Sequence, residues 1–379
     1  MKHLFIILAV YAVLGLFPVN MNAGVRRDLN KTFRHDLKVV LFPLEHSFKA
    51  IDTITLPDSG HREFHFLLHR GLRPVSPTPG VLISSEMENH GNDLFESFRA
   101  VLPEGRHSFM LEYKGIIYHP IEGYGKEQSR GFNQTPGIIS DQGVYLSGSS
   151  FWYPVFDGTL TFKLQVELPL QWDAVSQGER VQHIKNENKT FVQWESPELQ
   201  EEIFLVAAPF TEYLRPSGKV MSMVFLRTPD ADLAGKYLDA TSGYLAMFER
   251  LIGPYPYKKF ALVENFWETG FGMPSFTLLG PAVIRLPFII NSSYPHEILH
   301  NWWGNSVFPE YSRGNWSEGL TAYLSDYLIA EQQGTALDYR QTTLQKYADY
   351  VLSGRDFPLT EFRTRHSASS ESIGYGKSL

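Results

Sequence analysis

Residues 292–307 read SSYPHEILHNWWGNSV, and the second half of the chain turns on how this stretch folds. Its core is His296-Glu297-x-x-His300. On an α-helix, residues four apart lie one turn apart on the same face. His296 and His300 can therefore offer imidazole nitrogens to one ion. Glu297 sits one step round the helix, beside such an ion rather than on it. There its carboxylate can take a proton from an activated water. The neighbouring Ile298, Leu299, Trp302 and Trp303 leave a competing reading of the pentapeptide alone, a buried structural pair of histidines.

A zinc site needs a third protein ligand and an open fourth position. The stretch GNWSEGLTAYL, residues 314–324, supplies Glu318 at the start of the next helix. Two short helices joined by a turn can bring that carboxylate back to the histidines, which favours catalysis over a structural pair. A second histidine run calibrates the argument. GHREFHFLLHRG, residues 60–71, carries His61, His65 and His69 at the same spacing. This segment reads as a strand, where residues four apart are about 13 Å apart. One ion does not bridge them, and they read as ordinary sheet histidines.

Outward from these motifs, the chain changes texture near residue 214. Before it, DLKVVLFPL, REFHFLLHRGL, HSFMLEYKGIIY, LTFKLQVELPL, KTFVQWES and EIFLVAAPF are β-branched and aromatic runs separated by turn residues. They predict half-buried antiparallel strands. After it, Leu233, Tyr237, Leu238, Thr241, Leu245, Phe248 and Ile252 recur at three- and four-residue steps, an amphipathic helix that GPYPYKK breaks. KFALVENF and SFTLLG read as strands. PHEILHNWWGN, EGLTAYLSDYLIAEQQG and LDYRQTTLQKYADYVLSG read as helices, the second closed by Gly334. The expected class is α+β with three segments: residues 1–23, an N-terminal β domain over 24–213, and a mainly helical domain with a small sheet over 214–379.

Composition narrows the classes. The chain has 379 residues, more than one ordinary core holds. A net charge of −7 without a long basic run leaves no electrostatic footprint for nucleic acid. There are no cysteines, which excludes disulfides and thiolate zinc sites. Lys2 followed by the apolar stretch Leu4 to Phe17 and then Ala23 has the layout of a secretory signal peptide. The expected location is exported, periplasmic or secreted, with no stable membrane span after cleavage. The N-x-[ST] matches at Asn291 and Asn315 flank the site, where a glycan would obstruct a cleft, and are read as chance. A bacterial source fits that reading best.

HEILHNWWGN followed by NWSEGLTAYLSDY resembles the zinc aminopeptidases related to aminopeptidase N, a gluzincin family. The resemblance is strong over residues 253–330. It implies a saddle-like β domain before a thermolysin-like catalytic domain. It implies one zinc held by His296, His300 and Glu318, with Glu297 as general base. It implies Gly272 and Met273 lining the substrate, and an oxyanion-stabilising tyrosine, for which IGYGKSL offers Tyr375. A peptide is the implied substrate and partner.

The sequence departs from the family in four places. Seventeen residues, 301 to 317, separate His300 from Glu318 where the family usually has eighteen. In the family's G-x-M-E-N signature, whose Glu holds the substrate amine, Pro274 and Ser275 stand in place of Glu and Asn. Glu264 or Glu268 are the candidate substitutes. Where the family has an acid seven positions after the ligand Glu, this chain has Ser325. The adjacent Asp326 points about 100° away on an α-helix, so the acceptor for the zinc histidine is unassigned. Finally, the family continues into further helices, so a C-terminally truncated or fragmentary catalytic domain is expected. The reading is a zinc peptidase acting at peptide N-termini. The alternatives are a zinc peptidase that needs no free amine, and a non-catalytic binding module on the same fold.

Overall fold

The computed structural model describes residues 28–57, 60–86, 94–123, 133–351, 354–365 and 367–377. The signal peptide expected over residues 1–23 lies outside them. Two compact units result. One holds residues 28–121 and 135–210, and the other holds residues 211–377 with the short pair Glu122–Gly123 and Asn133–Gln134. The cut expected after residue 213 falls inside the strand Thr211–Ser217, which pairs with Val220–Leu226.

The first unit is built of strands at each of the predicted runs. Its largest sheet has six, in the order Glu179–Lys185, Lys189–Gln200, Thr159–Pro169, Thr32–Phe42, Ser47–Thr55, Ser108–Ile116. Along Thr32–Phe42 buried and open positions alternate, which puts Phe33, His35, Leu37, Val39 and Leu41 on the inner face. One pairing corrects the all-antiparallel expectation, since Thr32–Phe42 runs parallel to Thr159–Pro169. Short hairpins force antiparallel pairing, but strands far apart in sequence run either way.

The strand Glu63–His69 contains His65 and His69, as expected of sheet histidines. His69 Nε2 lies 2.9 Å from Nε2 of His119. The Gly71 N–H donates to His69 Nδ1 at 3.0 Å, so in the neutral ring Nε2 carries the proton and donates to His119. A protonated ring nitrogen is no metal ligand. Burial, with His119 alongside, pushes the His69 pKa down to about 4.

The second unit centres on a five-stranded sheet of β1 (Thr211–Ser217), β2 (Val220–Leu226), β3 (Lys259–Glu264), β4 (Gly270–Met273) and β5 (Phe276–Leu279), ordered β1-β2-β3-β5-β4. Strands β2, β3 and β5 are mutually parallel, and β1 and β4 are antiparallel edges. Helix α1 (Ala231–Leu251) begins at Asp230, whose side chain accepts from the Leu233 N–H. It buries Tyr237, Leu238, Thr241, Leu245 and Phe248 of the predicted stripe, with Ala234 beside them and Leu233 and Ile252 half-buried, and the chain turns at Gly253 with φ +136°. Burying a side chain such as Leu245 or Phe248 contributes about 1.5–3 kcal/mol. The same core takes in Phe260, Leu262, Tyr294, Ile298, Leu299 and Trp302. Helix α2 (Ser293–Leu299) is thus anchored to α1 on its apolar side, reinforced by a Thr241–Tyr294 hydroxyl contact at 2.5 Å. Three further helices follow: α3 (residues 317–332), α4 (Ala336–Tyr350) and α5 (Ala368–Gly374). Gly334, in the left-handed region, ends α3 as its composition predicts. Among the described residues no helix is long and apolar enough to cross a membrane.

Candidate metal centre

Helix α2 is only seven residues long, and Pro295 is tolerated because it lies in the first turn, where its missing N–H costs nothing. Tyr294, Ile298 and Leu299 take the core side, which turns His296, Glu297 and His300 to the other. All three are buried, at 5%, 2% and 8% exposure. The imidazole Nε2 atoms of His296 and His300 are 3.1 Å apart. Glu318, in the first turn of α3, brings Oε2 to 3.5 Å from His296 Nε2 and 3.3 Å from His300 Nε2. The structure therefore assembles the three residues predicted to hold the ion.

The outer nitrogens settle which atoms face inward. His300 Nδ1 lies 3.1 Å from the Trp303 carbonyl, which can only accept. His296 Nδ1 lies 3.2 Å from both carboxylate oxygens of Asp326. Each Nδ1 therefore carries a proton and each neutral ring turns its Nε2 lone pair inward. Two lone pairs and a carboxylate oxygen then converge on one point. Two ligands about 2.0–2.1 Å from a tetrahedral zinc ion stand roughly 3.3 Å apart. The observed separations of 3.1, 3.3 and 3.5 Å bracket that value. The donor set, its spacing and its tautomers fit zinc.

Asp326 corrects the sequence reading. Residues 317–332 are one helix whose middle, Ala322–Tyr327, is a π-helix, with the Leu328 N–H reaching the Tyr323 carbonyl. An i→i+5 turn advances roughly 80–85° per residue instead of 100°. Accumulated over these residues, the lag swings Asp326 to the side that Glu318 occupies. Ser325, expected in that direction, is instead fully buried with its hydroxyl unpartnered. The π-turn alone thus brings Asp326 to His296.

Burial opposes charge on the histidines, but Asp326 and Glu318 outweigh it and hold His296 well above its ordinary pKa. His300 is raised too, chiefly by Glu318 against burial. Glu318 is held well below the carboxylate range by the two rings despite its burial. Glu297 behaves differently. Burial pushes its pKa up to about 7, the histidines pull it back, and Glu318 and Asp326 add to the rise. Its Oε2 has no hydrogen-bond partner. A carboxyl balanced near neutrality, buried beside the ligands, suits a group that takes and returns protons.

Tyr375 lies at the end of α5. Its ring stacks on His296 with centroids 6.0 Å apart and meets Phe362 edge-on at 6.1 Å. Burial and the Glu318 carboxylate beside it keep its hydroxyl protonated. Gly272 and Met273 lie on β4, which packs against α2. Neither proposed substitute for the amine anchor is open. Glu264 accepts from Arg285 Nη1 at 2.5 Å and from the Arg227 N–H at 2.7 Å. Glu268 accepts from the Ala282 and Val283 N–H groups. Asn315 is 3% exposed and its amide donates to the Arg363 carbonyl, which agrees with a chance glycosylation match. Sequence reading also passed over Asn301, which is fully buried and links α2 to the turn after β4. Its position one residue past the second histidine was its only signal.

No family model matches the chain. The mouse aminopeptidase RNPEPL1 is 26% identical over 252 residues, covering 62% of this chain and 33% of that protein. Rat aminopeptidase B is 25% identical over 279 residues, covering 68% of this chain and 40% of that protein. The chain thus spans about a third to two fifths of the length of these relatives. Among solved structures, a mutant M1 zinc metallopeptidase from Deinococcus radiodurans superposes with a TM-score of 0.64 at 15% identity, covering 96% of this chain and 83% of that one. The same protein bound to a Tyr-Ser-Ala substrate gives a TM-score of 0.62 at 16% identity, with the same coverage of both chains. The structural likeness shows the M1 peptidase fold, and the sequence relatives are aminopeptidases. The His296, His300 and Glu318 geometry agrees with the resemblance to the aminopeptidase N-like gluzincins.

Proposed function

We propose that this chain carries the catalytic centre of a zinc-dependent peptidase that hydrolyses the first bond of peptides. The convergence of His296, His300 and Glu318 at 3.1–3.5 Å, with the Glu297 carboxyl beside them, carries the proposal. His296, His300 and Glu318 would hold the zinc. When bound, the ion supplies a Lewis acid that acidifies water and polarises a carbonyl. Asp326 and the Trp303 carbonyl keep the two rings in the ligating tautomer. Glu297 takes a proton from the attacking water and returns it to the leaving nitrogen. The Tyr375 hydroxyl, held protonated by burial and the Glu318 charge, donates to the developing oxyanion. The test is Glu297→Gln, which is expected to abolish turnover of a free-amine tripeptide while zinc stays near one per chain. Retained turnover refutes the role of Glu297.

A second reading, cleavage without a free substrate amine, draws support from the engagement of Glu264 and Glu268 in structural contacts. Comparing a free-amine peptide with its N-acetylated form separates the two. Export rests on the character of residues 1–23, and cleavage of that segment on secretion would test it.

A further inference from the structure

The turn between β4 and β5 is Pro274-Ser275, where the family signature differs. Ser275 is fully buried with φ +66°, a left-handed conformation that disfavours any residue with a Cβ. Its N–H donates to Asn301 Oδ1 at 2.6 Å. Its carbonyl accepts from Lys259 Nζ at 3.1 Å and from the Ala261 N–H at 3.0 Å. Strain of this kind persists where the surroundings over-determine it, and here they hold the peptide group on both sides.

Asn301 carries the connection to the metal helix. Its Nδ2 donates to the Glu297 carbonyl at 3.1 Å and to the Ile298 carbonyl at 3.0 Å. One side chain therefore joins the backbone of Glu297 to the turn that ends β4. That strand is an edge of its sheet. The Gly280 N–H bonds to the Thr269 carbonyl, so by ladder alternation Gly270 and Gly272 turn their N–H and C=O groups away from β5. These are the groups to which an extended peptide can add as a further strand. Met273, opposite Phe276 in the register, faces β5 with its backbone and buries its side chain.

We propose that Asn301 is a positioning residue that sets the β4 edge against Glu297, so that a peptide laid along Gly270 and Gly272 presents its carbonyl to that carboxylate. The proposal rests on the peptidase reading of the site. It attributes substrate registration to an amide after the second histidine, acting through the Pro274-Ser275 turn.

The test uses a Glu297→Ala background, in which bound peptide stays intact, and reads affinity by calorimetry with zinc present. Adding Asn301→Ala is expected to weaken tripeptide binding about tenfold while changing binding of a single aminoacyl amide less than about twofold. If Asn301→Ala fails to fold, Asn301→Gln, whose amide overreaches by one methylene, is expected to give the same length-dependent loss. Unchanged tripeptide affinity, or equal losses for both ligands, overturns the proposal. So does a background protein that binds no tripeptide. If the chain with Glu297 intact binds zinc and peptide with this Asn301 dependence but cleaves nothing, the peptidase reading fails and the positioning role stands.

Discussion

Asp326 accepts from His296 Nδ1 with both carboxylate oxygens at 3.2 Å, and it does so because it lies in a π-turn. The contact orients the ring and turns Nε2 toward His300 and Glu318. Asp326→Ala is therefore expected to lower zinc affinity about 10–100-fold, in line with losses at other outer-shell partners. Competition with a chelator measures this, and circular dichroism checks that the helices are retained. An unchanged zinc affinity would show that the contact does not tune the site.

Gly374 precedes Tyr375 and admits no side chain. A Cβ there would lie 2.2–2.5 Å from three ring atoms of Phe362, which is itself 1% exposed. Gly374→Ala must shift α5 or Phe362, and Tyr375 moves with them. The expected result is a fall in kcat of about 10–100-fold, the scale of one lost or misplaced oxyanion donor, with zinc content unchanged. Equal kcat would place the Tyr375 hydroxyl outside the reaction.

Ser275→Gly removes the Cβ that its φ of +66° penalises and keeps the N–H donated to Asn301. The variant is expected to be more stable by about 0.5–1 kcal/mol, seen as a rise in Tm. A lower Tm would mean that the serine side chain contributes more than its backbone costs.

The His69–His119 pair makes stability depend on pH. His69 has a folded pKa of about 4 against an ordinary 6.5. Between those values the unfolded chain binds a proton that the folded chain does not, so stability falls as pH drops through this window. The loss is on the order of 1–2 kcal/mol after allowance for the partly solvated ring. His69→Gln, measured by Tm from pH 7.5 to 4, is expected to flatten this part of the profile. An identical pH profile would remove the pair as its source.

What was legible in the sequence follows from range. Strand runs in the first unit, the stripe of α1 and the shared side of His296 and His300 all depend on neighbours within a turn or a few residues. The parallel pairing of Thr32–Phe42 with Thr159–Pro169 was not legible, because no short turn dictates its direction. The strand Val220–Leu226 also escaped, since a short apolar run does not announce its type and took its place only as a partner of β1 and β3.

By itself the sequence determined that His296 and His300 share a face, that Glu297 lies beside them and that Glu318 stands at the head of the following helix, since four-residue spacing and a helix start are local properties. Only the tertiary structure decided what surrounds them. Whether Ser325 or Asp326 meets His296 depends on one π-turn. Whether Glu264 and Glu268 remain open depends on Arg285 and on the backbone at Ala282. Whether Tyr375 reaches the site depends on the close approach of α5 to Phe362 at Gly374. Each is a contact between segments distant in the chain, set by packing that no local pattern encodes.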